Sequence, residues 1–365
     1  MRVKALYGAA LAVFVAATAC GGQSSQLPQE RRLTKKNLQK RLAAFENPGL
    51  IIGEFALADK SVVDGDTVHV QGLGSSLRLL GVDAEETFKY EKERRAYEAG
   101  WEKYMRDMRG SSPKPVKFAT PMGDEAKKWA QKFYADVNTV RLERDHPKEV
   151  RDYYNRYLAY VIVDRGGGKE ENYNIEVVRA GYSPYFSKYG YSRRFHQQFV
   201  DAENEARAAG RGIWDPTKQH YPDYDERKIW WDARAEFIKA FEDEAQAHDN
   251  YIVLTNYDTP TRLEALVGKE VVVLGAVSEV RLGDGNAPTR VLLSRRRTSD
   301  FPLIFWDRDV YMSSGVGQHV GDYIKVKGFV TKYDDKRGHS YQLQIKIDLP
   351  SQIFAAPKTT DAASR

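Results

Sequence analysis

Five charged residues stand out because each lies inside or beside an apolar, strand-like stretch of sequence. They fall in three separate segments and are Asp66, Arg78, Asp83, Glu86 and Arg156. Burying an unpaired charge is costly, so each of them needs an ionic or hydrogen-bonding partner. One such residue is usually half of a buried ion pair, whereas five in this arrangement indicate a site.

The residue types fit metal-assisted hydrolysis of a phosphodiester. Asp66 and Asp83, with a nearby backbone carbonyl, make an oxygen-rich ligand set that suits Ca²⁺. Glu86 could orient or deprotonate a water molecule. Arg78 and Arg156 can hold a phosphate through paired hydrogen bonds and neutralise the charge that develops on it.

Other polar residues nearby have simpler interpretations. Asp64 is expected to be a turn residue, because Asp-Gly is a common hairpin turn. His69 alternates with valines and is expected to face outward from a strand. The seven histidines show no metal-ligand spacing, which argues against zinc. No helix pattern follows the glycines of "QGLGSSL", so a phosphate-cradling loop is not predicted there.

The elements that must position these residues can be predicted from periodicity. Strand-like segments broken by glycines run over residues 50–82, and helical patterns cover residues 85–110, 123–137 and 193–212. Residues 156–182 predict a strand, a glycine turn and a helix. The charged residues therefore belong to a mixed α and β region.

A second region begins after residue 224. Residues 225–249 predict a long amphipathic helix that could link two domains, with Trp230 and Trp231 as docking residues. Residues 266–353 predict five or six short strands separated by turns and no strong helix. This pattern favours a small closed β-barrel.

Three segments, taken in order, resemble a known family. They are "VVDGDTVHV", "LRLLGVDAEET" and "NRYLAYV". Their order, the spacing within each motif and the intervening helices resemble the thermonuclease, or staphylococcal nuclease-like, family over about residues 51–214. The resemblance implies a five-stranded OB-type barrel with three helices, an α+β or mainly β fold, followed here by a second small OB-like barrel.

The resemblance also implies roles for the charged residues. It makes Asp66 and Asp83 ligands of Ca²⁺, with the backbone carbonyl of Ala84 completing the set. Glu86 would be the general base or the group that positions water. Both arginines of the set would bind the scissile phosphate and stabilise the transition state.

Some positions depart from the family pattern. Ala84-Glu85 stands where the family usually has Thr-Pro. A backbone carbonyl can serve as a metal ligand with either pair. Glu85, however, could take the role given to Glu86. The usual glycine before the last arginine is Asn155. Residues 88–120 form a longer stretch than the family leads us to expect, and they could restrict or select the substrate.

Tyrosines are the candidate substrate contacts. Tyr154 stands two residues before Arg156, where the family often has a substrate-contacting tyrosine. A later contact is expected within "GYSPYFSKYGY", and Tyr185 and Tyr189 are both candidates.

The N-terminus has the pattern of an export signal. A basic start precedes an apolar run at residues 5–17, which is too short to span a bilayer of roughly 30 Å. The run leads to Cys20, the only cysteine, in a context that resembles a bacterial lipobox. We expect a lipid anchor on Cys20 that holds the protein at a membrane. The alternative is a plain secreted protein with a chance cysteine.

Length and composition are compatible with this organisation. The chain has 365 residues, 42% hydrophobic and 29% charged, which suffices for packed cores and a soluble surface. Its net charge of +5 includes Arg2 and Lys4 of the removable segment, so charge alone does not argue for nucleic acid. The predicted order is signal peptide, tether and helix, nuclease-like domain, linker helix, OB-like domain and tail, at residues 1–19, 20–47, 48–215, 216–250, 251–356 and 357–365.

The second barrel resembles an OB-fold nucleic-acid-binding module in its pattern. Such barrels combine stacking aromatic residues with cationic side chains. The candidate contacts are Arg295, Arg296, Arg297, Phe305, Trp306 and Tyr333. Phe305 and Trp306 are adjacent in a strand and must face opposite sides. The alternative is a structural barrel that spaces the nuclease from the envelope.

The sequence thus predicts an exported, calcium-dependent nuclease that cleaves DNA and RNA with little base specificity. A site that recognises phosphate and leaves base edges alone makes low specificity natural. The main alternative is a non-catalytic nucleic-acid-binding envelope lipoprotein. A third is a structural lipoprotein whose charges only pair with one another. No protein partner is predicted.

Overall fold

The structure is a computed structural model that describes most of the chain. The described residues are 49–73, 77–112, 114–152, 156–294, 300–334 and 341–356. The predicted signal peptide, Cys20, the tether, Tyr154, residues 295–297 and the tail lie outside them. Within the described ranges, no helix is long and apolar enough to cross a membrane.

The described residues form two β-sheets and eight α-helices. The strands are β1 Ile51–Val62, β2 Val68–Val70, β3 Leu77–Leu79, β4 Thr139–Glu143, β5 Tyr157–Asp164, β6 Glu170–Asn172, β7 Tyr251–Val253, β8 Glu270–Arg281, β9 Thr289–Ser294, β10 Phe301–Phe305, β11 Tyr323–Asp334, β12 Tyr341–Lys346 and β13 Ile353–Ala355. The helices are α1 Glu91–Glu98, α2 Trp101–Arg109, α3 Pro121–Phe133, α4 Tyr173–Arg179, α5 His196–Ala208, α6 Tyr224–Ala245, α7 Thr259–Ala265 and α8 Arg308–Ser314.

The first sheet is the OB-type part of the fold and confirms the predicted class. Its strands are hydrogen-bonded in the order β2-β1-β4-β5-β3, with β6 added beside β5. Strands β3 and β5 run parallel, and Arg78 pairs with Leu158. The alternating apolar side chains of these strands pack with those of α4 and α5 in one core. This core supports the motif segments that carry the charged residues.

The described part of this region contains five α-helices, whereas the family resemblance implies three. Helices α3, α4 and α5 correspond to the expected three, and α1 and α2 come from the additional stretch at residues 88–120. The predicted single helix is interrupted at Gly100, whose φ of 142° is incompatible with helix. The additional stretch packs through Tyr104 and Phe118 against Tyr221 and Tyr224, at the start of α6.

The second sheet closes on itself, as predicted. Strands β8, β9, β10, β12 and β11 form a ring, because β11 pairs with β12 on one side and with β8 on the other. Strands β7 and β13 extend it. The pattern of residues 266–353 indicated no strong helix, but the short helix α8 lies within them, and the short helix α7 lies just before them.

Helix α6 contacts both the first region and the second barrel. Trp231 is buried edge-on against Phe186 of the first region, with ring centroids 4.8 Å apart. Two turns further along, Ile238 and Phe241 pack against Tyr323 and its neighbours on the second barrel. The docking role predicted for Trp231 is therefore confirmed.

Candidate active site

Asp66 lies in the turn between β1 and β2. The backbone N–H of Asp66 donates to Asp64 Oδ1 at 3.3 Å, so Asp64 does shape the turn. A Cβ on Gly65 would lie 2.8 Å from the Cβ of Ala84 and 2.9 Å from that of Ala126. The turn therefore needs glycine, and its close packing holds Asp66 near the Asp83-Ala84 segment.

Arg78 joins the two aspartates. Its Nη1 donates to Asp66 Oδ2 and its Nη2 donates to Asp83 Oδ1, both at 2.9 Å. All three side chains are mostly buried, and the guanidinium lies 5.3 Å from the centre of the Phe186 ring. Arg78 lies on β3, whereas the aspartates lie in the loops on either side. The fold therefore brings these three predicted residues into one cluster.

The charge of this cluster sets the pKa of its carboxyl groups. Burial would raise the pKa of Asp66, but Arg78 and Lys117 together lower it to about 2. Burial, and then the negative charge of Asp66, raises the pKa of Asp64 to about 7. Asp66 and Asp83 thus balance the two cations, and Asp64 carries only part of a further negative charge at neutral pH.

Lys117 is a member of this cluster that the sequence analysis missed. Its Nζ lies 2.6 Å from Asp83 Oδ1, although 34 residues separate the two in the chain. Lys117 belongs to the additional stretch at residues 88–120, where charged residues are common and nothing in the pattern distinguishes it. Lys117 shows one point at which this stretch reaches the cluster.

Glu85 and Glu86 have different environments. The side chain of Glu85 is 1% exposed, and its Oε1 accepts hydrogen bonds of 2.7 Å from the Tyr221 N–H and the Tyr224 hydroxyl. Its Oε2 accepts from the hydroxyl of Thr120. Glu85 thus anchors the motif segment to the start of α6, and burial raises the pKa of its carboxyl.

Glu86 is the accessible carboxylate of the pair. Its Oε2 lies 3.0 Å from Lys89 Nζ, and both side chains are partly exposed. The charges of Asp64 and Asp66 also raise the pKa of Lys89, after the larger effect of Glu86. A Cβ on Gly123 would lie 2.1 Å from the Glu86 carbonyl, so the first turn of α3 fixes this backbone.

Arg156 lies on the neighbouring strand and has its own partner. Its Nε donates to Asp152 Oδ2 at 2.7 Å, and its Nη2 lies 2.6 Å from the same oxygen. Arg156 precedes β5 by one residue, and Leu158, two positions later, pairs with Arg78. Arg156 therefore lies just before the strand that pairs with β3.

The two candidate tyrosines differ in accessibility. Tyr185 is 1% exposed, stacks on Phe199 at 4.8 Å, and accepts a hydrogen bond from the Ser192 N–H. The structure contradicts a substrate contact at Tyr185, because its ring is a core residue. Tyr189 is 60% exposed, so it stays a candidate. The aromatic candidates of the second barrel also differ in accessibility. Phe305 is buried, whereas Trp306 and Tyr333 are exposed and stay candidates.

The donor chemistry of the cluster suits a hard cation. Carboxylate oxygens of Asp66 and Asp83 and the carbonyl of Ala84 are the ligand types that Ca²⁺ prefers. In the part of the chain that the structure describes, no three His, Cys, Asp or Glu side chains are arranged as a ready metal site. The fit therefore rests on two carboxylates and one carbonyl.

Comparisons with known proteins place part of the chain beside a known family. Residues 76–216 match the family model described as "Staphylococcal nuclease homologue". An uncharacterized protein of Methanocaldococcus jannaschii is 31% identical over 156 residues, which cover 42% of this chain and 68% of the relative. A thermonuclease of Staphylococcus hyicus is 29% identical over 155 residues, 42% of this chain and 72% of the relative. The matched model begins after Asp66, which the fold adds to the cluster.

Proposed function

Because the chain belongs to the staphylococcal nuclease family, we propose that it hydrolyses phosphodiester bonds of DNA and RNA with little sequence specificity. The observation that carries the proposal is the buried Asp66–Arg78–Asp83 cluster with the accessible Glu86 beside it. A purely structural ion pair needs neither the second aspartate nor the nearby glutamate.

The side chains divide the work of hydrolysis. A guanidinium has five N–H donors, and Arg78 uses one on each aspartate, so the others can bind a phosphate oxygen. Arg156 would bind the same phosphate from the adjacent strand. Glu86 would accept a proton from the attacking water, because it is the accessible carboxylate. The arginines would stabilise the charge that builds on the phosphate.

Calcium is the proposed cofactor. Asp66, Asp83 and the carbonyl of Ala84 would hold the ion. Bound there, Ca²⁺ would supply positive charge next to the phosphate.

The first test measures cleavage of single-stranded and double-stranded DNA by the full chain in Ca²⁺ or in EGTA. We expect cleavage in Ca²⁺ only, and a loss of at least about 10²-fold in rate for Arg156→Ala, because one preorganised charge donor is removed. Arg281→Ala is the matched control, since Arg281 is exposed on the second barrel and pairs only with a surface glutamate in the described structure.

The same experiment separates the proposed enzyme from the alternative. Retention of DNA in a gel-shift assay without cleavage would exclude the nuclease and support a binding lipoprotein. Cleavage that is equal in EGTA would overturn the calcium requirement and leave the hydrolase.

We further propose that the protein is exported and anchored to the cell envelope through Cys20. This part rests on the signal-like N-terminus and its single cysteine. Cells expressing the wild type should incorporate a labelled fatty acid into the protein and retain it in the membrane fraction. Cys20→Ala should lose both the label and the membrane association. Unchanged labelling of this variant would contradict the anchor at Cys20.

A further inference from the structure

Three cations gather around one tryptophan where α6 meets the second barrel. Lys188 Nζ lies 4.7 Å from the centre of the Trp230 ring, Lys114 Nζ lies 5.5 Å away, and the guanidinium carbon of Arg234 lies 5.4 Å away. Asp322 is the carboxylate that faces them, 3.0 Å from Arg234 and 3.7 Å from Lys114. We call this group the junction cluster.

The cations of the junction cluster are unequally neutralised. Arg234 is 3% exposed and is fully engaged, because it donates to Asp322 and to the carbonyls of Gly321 and Lys188. Lys114 donates to the Val320 carbonyl at 3.3 Å. Lys188 has no carboxylate within ion-pair distance among the residues described, and aromatic rings alone contact its ammonium group.

This arrangement is unfavourable without an anion. Like charges repel, and a cation over an indole ring gains only about 0.5–2 kcal/mol. Burial and the adjacent Arg234 lower the pKa of Lys188 to about 8, so the group still carries its charge at neutral pH. An anion beside Lys188 and Lys114 would relieve the repulsion.

The junction cluster adjoins the active site. The charges of Asp83 and Lys117 both act on Lys188, and Lys117 itself contacts Asp83. Lys114 and Lys117 belong to the same additional stretch. The cations therefore continue from the Asp66–Arg78–Asp83 cluster to the second barrel, as a path along which an extended polyanion could lie.

We propose that Lys188 and Lys114, on the ring of Trp230, bind a backbone phosphate of the nucleic-acid strand at a position away from the scissile bond. The inference rests on the proposed function, since it names a second contact of the same substrate. It gives the additional stretch and helix α6 a shared role in holding the strand. The recognised chemistry is a phosphodiester anion, and no base contact is involved.

The test measures binding of a fluorescein-labelled thymidine octamer to the full chain by anisotropy in EGTA, which keeps the strand intact. Lys188→Gln and Lys114→Gln should each raise the Kd by about 5- to 10-fold, because each removes a charged hydrogen-bond donor. Each should also reduce the steepness with which log K for octamer binding falls with log salt concentration, by about 0.7. The matched control is Lys239→Gln, an exposed lysine on α6 that pairs with Asp243.

Charge and folding are controlled by further measurements. Lys188→Arg keeps the cation and should keep octamer affinity within about twofold, and melting curves of all variants should match the control. A Kd of the double variant equal to that of Lys239→Gln would overturn the inference. So would a double variant that loses binding to phosphatidylglycerol vesicles and keeps octamer affinity, because the site would then serve a lipid surface.

Hydrolysis of the octamer by the wild type in Ca²⁺ separates this inference from the proposed function. Loss of octamer binding in the double variant supports the junction cluster even if the wild type does not cleave, although the nuclease would then fail. If the wild type cleaves the octamer and the double variant binds it normally, the proposed phosphate site at the junction cluster is wrong and the proposed nuclease function stands.

Discussion

Glu86→Gln is expected to slow phosphodiester hydrolysis by about 10²–10⁴-fold and to leave the melting temperature unchanged. The amide keeps the shape of the side chain but cannot take a proton from water, and general bases contribute this much to rate. Glu86 is partly exposed and pairs only with Lys89 in the described structure, so little folding energy depends on it. The measurement is kcat/KM on single-stranded DNA with a parallel thermal melt.

Glu85 provides the matched control for this experiment. Glu85→Gln should keep hydrolysis within about threefold, and Glu85→Ala should lower the free energy of unfolding by about 1–3 kcal/mol, because Tyr221 and Tyr224 lose their acceptor. If Glu85→Gln abolished hydrolysis while Glu86→Gln did not, the two roles would have to be exchanged.

Arg78→Ala is expected to lower both activity and stability. Loss of a charge-stabilising donor costs roughly 10²–10³ in rate. The variant also leaves Asp66 and Asp83 buried without their shared partner, which typically costs about 3–5 kcal/mol, less what Lys117 recovers at Asp83. We expect kcat/KM and the urea midpoint to fall together, and Ca²⁺ to restore part of the stability but not the rate.

Arg78→Lys sharpens this prediction. A lysine retains the charge, but its three N–H donors lie on one nitrogen atom, so it cannot span two carboxylates with two separate nitrogens as the guanidinium does. It should recover more of the stability than of the activity. Full activity in Arg78→Lys would show that the bridge is dispensable and that charge alone is required.

The sequence predicted the parts of the site that lie within one motif. Asp66, Arg78 and Asp83 each stand in a short apolar segment, where a charge is conspicuous without any knowledge of the fold. Periodicity likewise predicted the closed second barrel and the linker helix, because alternation and helical spacing are local properties. Gly100 shows the limit of periodicity as a predictor. The pattern predicted one continuous helix over residues 85–110, but this single glycine divides it into α1 and α2.

The other features of the site could not be predicted, because they depend on contacts between segments that are distant in the sequence. Glu85 and Glu86 look equivalent in sequence, and only the approach of Tyr221, 136 residues later, buries the first of them. Tyr185 and Tyr189 likewise share one tyrosine-rich stretch, and the packing of Phe199 decides which ring enters the core. Lys117 and Lys188 had no local signal, because their importance lies in what the other segments place beside them.

The burial of Arg234 has a consequence for how such a chain can evolve. Its guanidinium is shared between a carbonyl of the nuclease region and a carboxylate and carbonyl of the second barrel. A foreign barrel joined by recombination would have to offer the same two acceptors at the same place, or leave a buried cation unmatched at a cost of several kcal/mol. Recombination that exchanges one barrel without the other is therefore expected to destabilise the protein. Substitutions at Arg234 and Asp322 should accordingly occur together in evolution.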